Sequence, residues 1–199
     1  MKTLLAAILG GMLVFAWNGV SWVVLKWHEP TVRTLMDEAQ VAQVLVDNAP
    51  VSGIYVLPNQ MAANPPGTDA LEPAPDNTDS ASPFAFIAFS REGMPTQMNR
   101  QYAYALISSI LTALLIVILV RAADVLGYFM RVLFITTIGV VIALGGRLQN
   151  WIWWHFPADF MQLDCADIVI GWFIAALVMA ALTGAEKNRL GPSYRRVRM

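Results

Sequence analysis

Long apolar runs separated by short charged stretches dominate this chain. Residues 4–25, 102–120, 132–152 and 168–183 are four such runs. Each approaches the ~20 apolar residues that carry a helix across the hydrocarbon core of a bilayer. The pattern predicts a membrane all-α fold: a four-transmembrane-helix bundle with a small α+β extracytoplasmic insertion between spans 1 and 2. Residues 1–25 form the first span, 26–100 the insertion, 101–185 spans 2–4 and 186–199 a basic tail. Met1-Lys2 and the run behind it resemble a signal peptide, with Val14-Phe15-Ala16 as a weak cleavage site. The run continues through Trp17 to Leu25, too long for an ordinary signal core, and reads as an uncleaved signal-anchor.

The insertion has a different texture. Val32, Leu35, Met36, Ala39, Ala42 and Val46 recur at helical spacing with polar residues between them. Pro30 suits a first turn and Asn48-Ala49-Pro50 a stop, so an amphipathic helix is expected over 31–47. Residues 52–57 are β-branched and aromatic and read as a strand. Residues 84–90 alternate Phe84, Phe86 and Phe89 with smaller residues and read as a second. Between them, 59–83 is rich in Pro, Gly and Asp, a composition that buries too little apolar area to order itself, and is expected to be a mobile loop. The strands are expected to pair as an antiparallel ribbon. A lone two-stranded ribbon is marginal in water and needs the helix, the membrane surface or a partner protein to pack on.

Charge sets the expected topology. The formal net charge is −1, but residues 26–100 hold nine acids against Lys26, Arg33, Arg91 and Arg100. The end of the chain holds Lys187, Arg189, Arg195, Arg196 and Arg198 against Glu186. Basic short segments stay in the cytoplasm, which places both termini and the 121–131 link inside and the insertion outside. The expected setting is a bacterial inner membrane with 26–100 in the periplasm. Trp17, Trp22 and Trp27, with Trp151, Trp153 and Trp154, suit an outer interfacial belt. Span 3 has two possible starts, near 125 with Arg131 inside it or near 132 with Arg147 inside; the second keeps that belt and is preferred. Small residues four apart in span 1 (Ala6 with Gly10, Ala7 with Gly11) and in span 4 (Gly171, Ala175, Ala176, Ala180, Gly184) allow close helix packing.

Candidate chemistry gathers at the outer rim. His28, His155, Asp164, Cys165 and Asp167 are metal-ligand types, but without motif spacing they are weak candidates. Asp164 and Asp167 read more simply as N-cap and N3 acids opening span 4. Scattered methionines read as packing rather than copper ligands. Asn18, Arg147 and Asp167 are the intramembrane polar candidates, with Asp164 or Asp167 as counter-charge for Arg147. A single cysteine excludes an internal disulfide. Neither a nucleophile motif nor a phosphate-cradling loop is present, so no catalytic residue, no cofactor and no nucleic acid are expected. The expected partners are membrane lipid and either a membrane protein or further copies of the chain. The leading expectation is a non-enzymatic accessory, assembly or scaffolding subunit, with Phe84, Phe86 and Phe89 as its interaction surface. The alternatives are a homo-oligomeric small-solute or ion transporter or channel, and a metal-handling membrane protein.

Overall fold

A computed structural model describes residues 1–58, 83–95, 97–125 and 127–184. Four of its helices are long and apolar enough to cross a membrane: Lys2–Leu25, Asn99–Ala122, Tyr128–Trp154 and Ala158–Thr183. The shortest have 24 residues, about 36 Å at 1.5 Å per residue, more than a ~30 Å hydrocarbon core. The chain divides into two compact units. One comprises Met1–Arg33 with Gln97–Met199, the other Thr34–Thr96.

In the first unit, α1 (Lys2–Gly19) continues into a π-helical segment, Val20–Leu25. Helix α3 (Asn99–Ala122) follows the insertion. Helix α4 (Tyr128–Ile142) passes through a second π-helical segment, Ala143–Arg147, into α5 (Leu148–Trp154), and α6 (Ala158–Thr183) ends the described fold. Helix α6 packs on both α1 and α4, while α1 also packs on α3. The core between them is small and aliphatic: Ala6, Ala113, Val117, Ile135, Ala175, Ala176, Met179 and Ala180 are buried.

The small residues of α1 are used as their spacing predicts. A Cβ on Gly11 would lie 2.6 Å from the Ile110 backbone nitrogen, so only glycine lets α1 and α3 come this close. A Cβ on Gly139 would lie 2.8 Å from the Cβ of Trp172, setting the approach of α4 to α6.

Helix ends differ from those expected. Helix α6 begins at Ala158 behind Pro157, not after an N-cap at Asp164. Hydropathy marks where a chain is apolar enough for lipid, not where helical hydrogen bonding begins. Asp164 and Asp167 are therefore internal residues of α6, and their reading as capping acids is incorrect. Span 3 begins at Tyr128, after Gly127 turns the chain at φ 81, so Arg131 and Arg147 both fall within the Tyr128–Trp154 helix. Arg131 Nε donates to the Ala180 carbonyl at 3.0 Å, near the end of α6, a position where a cation favours the helix dipole.

In the second unit, α2 (Glu38–Asn48) starts later than the expected 31. Asp37 sets the start, its Oδ1 accepting the Gln40 amide at 2.9 Å. Pro30 instead sits in a single 3₁₀ turn, Glu29–Thr31. Strands β1 (Gly53–Leu57) and β2 (Ala85–Phe89) pair antiparallel, with Gly53 opposite Phe89 and Leu57 opposite Ala85. Arg91 ties the ribbon to α2, its Nη1 donating to the carbonyls of Val46 (2.9 Å) and Ala49 (3.0 Å). Most of the expected loop 59–83 lies outside the described residues.

Candidate functional site

The site is built where α1 loses its regular winding. Trp17 and Ser21 stand four apart on one face of that helix. Trp17 Nε1 donates to the backbone carbonyl of Asp167 at 3.1 Å, and Ser21 Oγ donates to Asp167 Oδ2. Beyond the π-helical segment, Lys26 adopts a left-handed conformation (φ 55) that turns the chain back. That reversal returns Trp27 and His28 to the bundle. Trp27 Nε1 donates to Ser21 Oγ at 2.8 Å, and His28 Nε2 lies 2.7 Å from Asp167 Oδ2. Thr31 Oγ1 holds the turn by donating to the His28 carbonyl at 2.8 Å.

His28 is boxed in by rings. Trp22 stacks on it with centroids 4.1 Å apart and planes 4° from parallel. Trp27 and Phe160 meet it edge-on at 6.3 and 6.4 Å. The side chains of His28 and Asp167 are 1% and 5% exposed, so water cannot reach them freely. The order of hydrogen bonds fixes the donors. Trp27 can only donate, so the Ser21 hydroxyl proton turns to the carboxylate. His28 Nε2 donates to the same carboxylate oxygen, which leaves Nδ1 without a partner. Serine, histidine and aspartate meet here, yet Ser21 and His28 both bind the carboxylate rather than each other. His28 therefore does not contact the hydroxyl, and the arrangement is not that of a serine–histidine–aspartate triad.

Two buried polar atoms of this cluster, His28 Nδ1 and Asp167 Oδ1, have no hydrogen-bond partner. Asp167 also lines a cleft of about 340 Å³. The other polar residues of the cleft are Asn18, Arg147, Asn150 and Asp164, and its apolar wall is Trp22, Phe156, Phe160 and Ile168. Arg147 Nε lies 3.5 Å from Asp164 Oδ2, with the arginine half-exposed and the aspartate largely covered. Trp22 comes from the first π-helical segment and Arg147 from the second. A π turn adds a residue and swings the following side chains round by about 100°, and such turns recur at functional sites. Gly145 and Gly146, poor helix formers, lie in the second segment.

The three intramembrane candidates Asn18, Arg147 and Asp167 thus meet in one cleft, and Asp164 is the counter-charge of Arg147. The metal-ligand candidates do not converge. His28 and Asp167 touch, Cys165 lines a separate apolar crevice with Leu144, Trp151 and Met161, and His155 takes the left-handed position (φ 51) closing α5. Among the described residues no three His, Cys, Asp or Glu side chains are placed to hold a metal ion. The ribbon's aromatics do not form one surface. Strand alternation sets Phe86 and Phe89 on opposite faces, Phe89 with Tyr55 at 6.4 Å. Ser21, Asn150, Phe156 and Phe160 carried no expectation. Only the spacing of Trp17 and Ser21 points to a shared face, and nothing local points to their partner in α6.

Compared with known proteins, the chain matches no family model, no curated protein and no solved structure.

Proposed function

We propose that this chain is a non-enzymatic transporter of a small solute or ion that works as a homo-oligomer, with Asn18, Arg147 and Asp167 lining the entry to its path. One observation carries the reading. Asp167 lies inside a 26-residue apolar helix, buried, bonded to His28 and Ser21 through one oxygen and lining a polar cleft. Ionisable groups within a span are costly, and they recur where a solute or proton is handled. Four helices are too few to enclose a wide path, which is why further copies are required. The charge distribution supports both termini in the cytoplasm and the cleft at the outer face of a bacterial inner membrane.

The test is flux. Purified protein in vesicles, offered a mixture of small organic cations, zwitterions, anions and alkali ions, should accumulate one class inside. Asp167→Asn and Arg147→Gln should each lower that uptake at least about tenfold, the effect of losing one charged hydrogen bond. Uptake equal to empty vesicles, or unchanged in both variants, refutes transport.

The accessory-subunit reading draws on the second unit. Among its described residues only Ala49 is buried, so the ribbon and α2 have little core of their own. The chain would then be a partner of a larger membrane complex. Purification in mild detergent, followed by mass spectrometry and a particle mass, should return a second membrane protein at fixed ratio if this reading holds. A pure homo-oligomer rejects it.

A further inference from the structure

We infer that the cleft takes an organic cation with an ammonium head, drawn to the Asp167 carboxylate among the rings of Trp22, Phe156 and Phe160. The inference rests on the transport reading and names its solute class. Charge comes first. Three ionisable residues line the cleft, and Arg147 and Asp164 are paired with each other. Asp167 meets no arginine or lysine among the described residues; its ionisable neighbour is the His28 ring. An anion meets this carboxylate unfavourably, and a zwitterion's carboxylate must compete with Asp164 for Arg147.

Hydrogen bonding narrows the class. Oδ2 accepts from both Ser21 and His28, whereas Oδ1 is buried without a donor. An unsatisfied buried carboxylate oxygen calls for a donor, and an N⁺–H donor makes the strongest such bond. The walls then separate organic from metal cations. A hard metal cation takes six or more oxygen ligands, while three rings line this cleft. Aromatic rings attract an organic cation within about 6 Å of their centroids. The cleft volume of about 340 Å³ lies at the small end of ligand pockets, which suits an amine of a few carbons.

The probe is n-butylammonium, with n-butanol, butyrate, β-alanine and sodium as comparison ligands. Binding to the full chain in lipid nanodiscs is read by saturation-transfer NMR, with empty nanodiscs subtracted. Butylammonium should bind saturably, at least about tenfold more tightly than butanol. β-Alanine and butyrate should not compete, and neither should sodium beyond its effect as salt. Asp167→Asn should weaken butylammonium by a similar factor. Asn150→Trp, which fills the cleft and leaves the His28–Asp167 contact alone, should abolish binding. The wild-type ligand series stands even if a variant does not fold. If butyrate, β-alanine or butanol binds as well as the amine and Asn150→Trp removes it, the cleft is a solute site and the ammonium assignment is wrong. If no probe binds, the ammonium assignment falls, and the flux assay in vesicles decides the transport reading on its own.

Discussion

Replacing Asp167 by leucine is the sharpest test of how the tryptophan-rich end is held together. The carboxylate is 5% exposed and accepts from two buried partners, His28 Nε2 at 2.7 Å and Ser21 Oγ. Asp167→Leu leaves the histidine stranded among Trp22, Trp27 and Phe160. A buried donor left without its acceptor costs about 1–3 kcal/mol. Ser21 escapes this penalty, because a helical serine can donate to the carbonyl four residues back, here Trp17. The double replacement His28→Phe with Asp167→Leu removes both polar groups and keeps ring and bulk, so it should cost less than about 1 kcal/mol. Asp167→Asn keeps an acceptor for both donors and should fall between the two. Unfolding in mixed dodecyl maltoside and SDS micelles, followed by tryptophan fluorescence, measures all three. Side-chain hydrogen bonds between membrane helices average only about 0.6 kcal/mol. A single Asp167→Leu cost of that size, or a double variant no more stable than the single, would show that the buried pair is an ordinary interhelical contact.

Three further outcomes follow from the packing and the ribbon. Gly11→Leu should destabilise the bundle by about 1–3 kcal/mol in the same micelle assay, because a side chain there runs into the Ile110 backbone; an unchanged transition refutes the close α1–α3 approach. The Ser52 hydroxyl, donating to Glu92 Oε2 at 2.7 Å, is the main cause holding the Glu92 carboxyl below its ordinary range. Because the folded value is the lower one, this contribution is present above the ordinary glutamate range and is lost as pH falls through the lowered value. Ser52→Ala should move the Glu92 titration back up, as read by carbon-13 NMR, and an unmoved titration rejects the assignment. Arg91→Met should speed amide exchange at Ala49, whose N–H closes the last turn of α2 on Leu45 O at 2.8 Å, since the guanidinium satisfies the carbonyls of that turn; equal exchange would mean the cap is not used.

Much of the architecture was legible along the chain. Four helices long and apolar enough to cross a membrane follow from length and hydropathy, which are local properties of each segment. The ribbon also follows, because β-branched and aromatic residues with a period of two specify a strand without reference to distant neighbours. The small-residue face of α1 was readable for the same reason: spacing of four is helix geometry. The tertiary structure decided what joins these parts. His28 and Asp167 are 139 residues apart, and no periodicity links a loop residue after one helix to the inside of another. Two π-helical segments shift the faces of their helices midway, so a projection at 3.6 residues per turn misplaces Trp22 and Arg147. Asp167 looked like a capping acid because the apolar run starts just after it. Only the helix that begins at Ala158 makes it a buried carboxylate, for which His28 and Ser21 supply the hydrogen bonds that water would otherwise provide.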